Sequence, residues 1–148
     1  MNRHANALAS YGRVANSEND PLEQIVMLYD GCIRFLRQAA SDIETNELAK
    51  KAEHVNRALD ILNYLQGILD FERGHDVAQV LDKLYTLVSM KVLRASAKLD
   101  AEEMRAAAEL LAPVRDSWHQ VSDSTQNRTP AIAALDAPPV RMRQLVLA

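Results

Sequence analysis

A chain of 148 residues that is 48% hydrophobic but only 5% aromatic has material for one core and not for two. A net charge of −3, a pI near 5.8 and the lack of any Lys/Arg cluster exclude a face built to follow a phosphate backbone, so no nucleic-acid partner is expected. The single cysteine, Cys32, excludes an internal disulfide framework and a CxxC site, and no apolar run reaches signal-peptide or membrane-span length, so a soluble protein in a reducing cytoplasm, without membrane insertion, is expected.

Four glycines and an abundance of Ala, Leu, Glu, Lys, Arg and Gln favour helix over sheet. Residues 1–19 are polar and small, with Leu8, Tyr11 and Val14 as the sizeable apolar side chains. Asp20 offers an N-cap, Pro21 suits a first helical turn, and Glu23 complements the helix dipole. From there Leu22, Ile25, Val26, Tyr29, Cys32, Ile33, Leu36, Ala39, Ala40 and Ile43 recur at three and four residues, which predicts an amphipathic helix ending near Thr45 and Asn46. A second helix follows with Leu48, Ala52, Val55, Leu59, Leu62, Leu65 and Leu69, and FERGHD, with Gly74, reads as its C-terminal stop. A third carries Val77, Leu81, Leu84, Val88, Val92, Ala95 and Leu99. A fourth, capped by Asp100, carries Met104, Ala108, Leu111, Val114, Trp118 and Val121, with Pro113 inside it as a source of bending.

The expected fold is therefore all-α: an antiparallel up-down four-helix bundle over 20–122, behind an N-terminal segment 1–19 and ahead of a flexible tail 123–148. Three prolines and weak periodicity make that tail read as disordered, and its basic-then-apolar end, RMRQLVLA, reads more simply as a plain terminus than as a docking segment.

Apolar residues exceed what one buried stripe needs. Leu28 and Phe35 form a second line on the first helix around Gly31, where a mid-helix glycine costs about 1 kcal/mol relative to alanine. Val80 and Leu87 do the same on the third. Either these residues widen the core, or Leu28, Gly31, Phe35, Val80 and Leu87 form a groove that receives an amphipathic helix from a partner. Chemistry has little support. Glu72 and His75 are the only Glu-x-x-His pair, Cys32 falls on the apolar stripe, and His4, His54 and His119 are scattered, so no enzyme, cofactor or metal is expected.

The run PLEQIVMLYDG at residues 21–31, with MLYDG its most specific part, resembles the FliS family of flagellin export chaperones. LDFERG at 69–74, AxxLDxLY at 78–85 and LLAPVRDSW at 110–118 extend the resemblance over about residues 8–122. Gln24 stands where the family commonly has leucine, His75 where it often has a second glycine, and Pro113 is unusual. The resemblance implies an antiparallel bundle that binds the C-terminal segment of flagellin in the cytoplasm, prevents premature polymerisation and delivers it to the flagellar type III export gate, without catalysis. It also implies that the N-terminal segment, with Tyr11 helped by Leu8 and Val14, acts as a lid on the groove. Tyr29 is then structural and Asp30 sits at a polar boundary. The alternative is an adaptor or regulatory bundle for another flagellar protein, and the exposed stripe would also allow a weak homodimer.

Overall fold

Four helices, separated by connections of two or three residues, account for the residues that the computed structural model describes, 21–126. They are α1 (Pro21–Glu44), α2 (Leu48–Gly67), α3 (Phe71–Lys98) and α4 (Ala101–Gln126). Connections this short force each helix to run antiparallel to the one before it. The packed pairs are α1 with α2, α2 with α3, α3 with α4, and α4 with α1. The helices thus form a ring in which α1 and α3 are diagonal. The core is the apolar stripe of each helix, with Leu22, Tyr29 and Leu36 of α1, Ile61 and Leu62 of α2, Tyr85 and Val88 of α3, and Met104, Leu111 and Trp118 of α4 almost wholly removed from water.

Local signals set the helix ends. Beyond Glu44 the chain turns through Asn46 in the left-handed region (φ 57°), so that Glu47 N–H reaches the Asp42 carbonyl at 2.8 Å and Asn46 N–H that of Ile43 at 3.1 Å. The Asp70 carboxylate accepts from the N–H groups of Glu72 and Arg73 and opens α3, and Asp100 accepts from Glu103 N–H at 3.0 Å and opens α4. The end of α3 repeats the left-handed closure with Leu99 (φ 53°), Asp100 N–H bonding the Ala95 carbonyl at 2.9 Å. Asp20 lies outside the described residues.

Several sequence expectations change. FERGHD does not stop the second helix: α2 ends at Gly67, Leu69 lies in the connection, and the Asp70 cap makes this run the first turn of α3. The break that Gly74 suggested falls one residue later, at His75, whose φ of 47° and ψ of −122° kink the helix. Leu48 and Val77, assigned to the core by periodicity, are exposed, the first because it opens a helix at the end of the bundle and the second because it follows the kink. At the other end α4 continues to Gln126, past the expected boundary at 122 and through Pro113.

His75 and Leu99 both hold a Cβ in a backbone region that favours glycine, at a cost of order 1–2 kcal/mol each. His75→Gly and Leu99→Gly should each raise stability by about 0.5–1 kcal/mol. Urea unfolding followed by circular dichroism checks this, and a lower midpoint for both variants would show that the two positions are not strained.

Candidate functional site

Polar cross-links fix which face of each helix meets which neighbour. Asp30, Arg37 and Glu44 lie seven residues apart along one line of α1. They pair with Arg115 (2.6 Å to Nε), Glu109 (3.1 Å) and Arg105 of α4. Asp30, expected at a polar boundary, takes a two-pronged bond from the Arg115 guanidinium. These pairs are largely exposed, so each adds at most about 1 kcal/mol, and their main effect is to hold the register of α1 against α4.

A second heptad line of α1 runs through Leu28, Phe35 and Asp42. Its end is settled by the buried Asp42 carboxylate, 2.5 Å from Nδ1 of His54 on α2. Phe35 stacks on the His54 ring at 6.0 Å, with the guanidinium groups of Arg34 and Arg57 near its faces at 5.3 and 5.9 Å. This line therefore faces α2. Leu28 is buried, Gly31 beside it is buried, and Phe35 is half-buried.

The line of α3 that carries Val80 and Leu87 reaches Arg94 seven residues on, and Arg94 pairs with Glu103 of α4 (2.6 Å from Nε). This line accordingly lies toward α4. Its apolar members are open to solvent, Val80 at 65% and Leu87 at 54%. The five residues expected to form one groove are thus divided: Leu28, Gly31 and Phe35 face α2, while Val80 and Leu87 flank the seam of α3 with α4. The diagonal placement of α1 and α3 is the physical reason. Leu8, Tyr11 and Val14 lie outside the described residues.

What the helix stripes did not mark is the extent of apolar surface around α3. Phe71, Val77, Met90 and Leu93 of α3 and its closing Leu99 are also exposed. On α4, Leu110 follows Glu103 by one heptad just as Leu87 precedes Arg94 by one, so Leu110 comes level with Leu87 across the antiparallel seam, and it too is partly exposed. The signal was present in the sequence: Leu110 lies outside the periodic stripe of its helix next to Leu111, as Val80 lies next to Leu81.

The hydroxyls of Tyr29 and Tyr85 meet at 2.6 Å across the bundle diagonal, and burial pushes the Tyr29 phenol up to about 12 against the lowering effect of that bond. Burial likewise pushes the Tyr85 phenol and the Cys32 thiol well up, and Cys32 Sγ lies 3.6 Å from the Ala58 carbonyl on α2, a weak donor held as a small core residue. Glu72 and His75 lie at the exposed start of α3. Among the described residues no three His, Cys, Asp or Glu side chains converge as metal ligands, and no helix is long and apolar enough to cross a membrane.

Fold and surface together define a helical bundle with a packed apolar core and several large apolar side chains exposed around α3, a surface suited to binding another chain. Comparison with known proteins makes this specific: the chain belongs to the family described as flagellar protein FliS, which matches residues 4–125. It is 29% identical over 115 residues to the flagellar secretion chaperone FliS of Vibrio cholerae serotype O1 (strain El Tor Inaba N16961), covering 78% of this chain and 85% of that protein. It is 29% identical over 123 residues to the flagellar secretion chaperone FliS of Salmonella typhimurium (strain LT2), covering 80% and 91%. With the flagellar secretion chaperone FliS of Bacillus subtilis (strain 168), identity is 26% over 119 residues, covering 80% and 88%. The family is one of chaperones and not of enzymes.

Two predictions follow from the burial pattern and the tyrosine pair. Leu28→Asp buries a charge and should cost about 4 kcal/mol or more, enough to unfold much of the protein, whereas Val80→Asp and Leu87→Asp should each stay within about 0.5 kcal/mol; thermal melts of the three variants decide this. Because the Tyr29 phenol titrates near 12 when folded and near 10 when unfolded, the unfolded state loses its proton first. The contribution of Tyr29 to stability should therefore be flat below pH 10 and fall between pH 10 and about 12. Tyr29→Phe should reduce that slope in a series of urea titrations across this window, and an unchanged slope would contradict the assignment.

Proposed function

We propose that this chain is a cytoplasmic flagellar secretion chaperone that holds the C-terminal segment of flagellin and hands it to the flagellar export apparatus. The observation that carries the reading is the solvent-open line of Val80 and Leu87, in a chain whose curated relatives are flagellar secretion chaperones. Nine large apolar side chains are exposed among the described residues, and six of them belong to α3, a concentration that water disfavours and an apolar partner relieves.

The physical task is to cover a face that the client would otherwise use for polymerisation. An amphipathic client helix laid along the seam of α3 with α4 would place its apolar positions, three and four residues apart, against Val80, Leu87 and Leu110. Ordering that segment costs conformational entropy, so the complex holds by the apolar area it buries and is released at the export gate. No bond is made or broken. In this reading Leu28 and Gly31 support the fold from inside, and Phe35 is met only by a client long enough to wrap to the α2 side. Residues 1–19 act as the lid, with Tyr11, Leu8 and Val14 competing for the apolar surface until the client arrives.

Calorimetric titration with a synthetic peptide of the cognate flagellin C-terminus tests this. Tight binding should carry a negative heat-capacity change. Leu87→Asp should weaken it at least about tenfold, the loss of one well-packed apolar anchor, and Tyr11→Ala should strengthen it about threefold by removing a competitor. No heat at several temperatures, with the fold intact by circular dichroism, would end the flagellin reading and turn attention to a helix-binding adaptor for another flagellar protein. Binding that ignores Leu87→Asp would move the site off α3.

A further inference from the structure

The seam of α1 with α2 lies on the side of the ring opposite the seam of α3 with α4, and it holds an open recess of about 530 Å³. The charged and titratable side chains in its lining are Arg34, Arg37, Lys50 and His54, set against Asp30 and Asp42. Both carboxylates are already taken. Asp30 receives the two-pronged bond of Arg115, and the buried Asp42 is bonded to Nδ1 of His54 at 2.5 Å. That bond leaves Nε2 as the nitrogen through which the ring can meet a ligand, and Nε2 has no hydrogen-bond partner among the described residues. Arg37 and Lys50 are paired with exposed carboxylates, Glu109 at 3.1 Å and Glu47 at 3.3 Å, and Arg34 lies over the Phe35 ring at 5.3 Å. Exposed pairs of this kind are weak and exchange readily for an incoming carboxylate. A chain of net charge −3 thus carries a cationic recess on one seam.

Spacing decides the kind of anion that fits. The Asp42–His54 bond marks where α1 and α2 stand level. Arg34 precedes Asp42 by eight residues, about 12 Å along the axis, and Lys50 precedes His54 by four, about 6 Å in the other direction because the helices are antiparallel. The outer cations are therefore set about 18 Å apart, with His54 between them. A single phosphate needs donors that converge on one point, commonly backbone N–H groups, whereas these cations are strung along a line. An extended peptide covers the same distance in about six residues.

We propose that this recess is a second docking site, for an acidic segment of another protein that lies extended over about six residues with carboxylates toward both ends. Arg34 and Arg37 take one end, Lys50 takes the other, and His54, held by Asp42, meets the middle. Because the recess and the exposed line of Val80 and Leu87 lie on opposite seams, both partners can be held at once. The site does not depend on which client the α3 face receives, and it gives a second protein a way to recognise the chaperone while it is loaded.

The test uses the full chain, with a capped hexaglutamate peptide as the probe and two-dimensional amide NMR at low ionic strength as the readout. Docking predicts shift changes confined to residues 30–42 and 50–57 and lost as salt is raised. Arg34→Glu/Lys50→Glu should weaken binding at least about tenfold and, as both side chains are exposed, leave the thermal melt in place. Arg34→Ala/Lys50→Ala should weaken it about threefold. Lys83→Glu, an exposed position on α3, and saturation with the flagellin C-terminal peptide should both leave it unchanged. Failure of hexaglutamate to bind, or equal binding to the doubly reversed variant, would overturn the proposal. Inorganic phosphate that displaces the peptide from the same residues at equal concentration would make the recess a small-anion site and overturn it as well. Competition with the flagellin peptide would make the recess part of the client site, and the separate site would fall. Hexaglutamate binding as predicted with no flagellin binding at all would keep the acidic site while removing flagellin as client.

Discussion

The hydroxyl-to-hydroxyl bond between Tyr29 and Tyr85 is the constraint on which the arrangement of the bundle turns. In a ring of four helices the diagonal pair has no seam in common, yet here the diagonal is closed by two phenols that meet at 2.6 Å where neither can find water. One hydroxyl donates to the other, and a buried hydroxyl left without a partner costs about 1–3 kcal/mol, so the two helices cannot slide relative to one another without losing the bond. The height and rotation of α3 are thereby set from inside the core. With Tyr85 pointing inward, Val88 and Leu81 follow it into the interior, and Val80 and Leu87 are turned outward along the α4 side.

The edges of the ring are held differently. Asp42 with His54, Gln66 with Asp82 and Thr86, Arg94 with Glu103, and the three pairs from Asp30, Arg37 and Glu44 to α4 give each neighbouring pair of helices its own polar cross-link. Most are exposed and contribute little to stability singly. Their value lies in register, since a helix shifted by one turn would break its pairs on both sides. A frame fixed in this way can leave one apolar face uncovered without the helix rolling to bury it.

How much of this was legible in the sequence depended on the range of the interaction. Helix number, the Asp100 cap and the break at Asn46 follow from chemistry within a few residues, and the sequence carries them plainly. The excess apolar residues Val80 and Leu87 were also visible as a departure from the periodic stripe. What could not be read was which neighbour each line meets, because Leu28 with Phe35 and Val80 with Leu87 have the same spacing and differ only in the helices packed beside them. That choice is made by long-range pairs, Asp42 to His54 and Arg94 to Glu103, that have no signature along the chain. FERGHD misled for a related reason: Gly74 signals a break, but the Asp70 carboxylate four residues earlier had already started the next helix, and the disturbance fell at His75.

The helix with the exposed face is also the one whose ends are least relaxed. His75 near its start and Leu99 at its close both hold side chains at positive φ, where glycine would be easier, while α1 closes on Asn46, a residue that tolerates this conformation. Strain and exposed apolar area on one element both lower the free energy needed to move it relative to the rest of the bundle. A binding protein gains from this, because a partner that covers the face recovers the cost of the exposed area and a helix with loosened ends can adjust to what it meets. The strained positions lie at the two ends of α3, while the Tyr29–Tyr85 bond holds its middle to α1, so any loosening is confined to the ends and the core arrangement is kept.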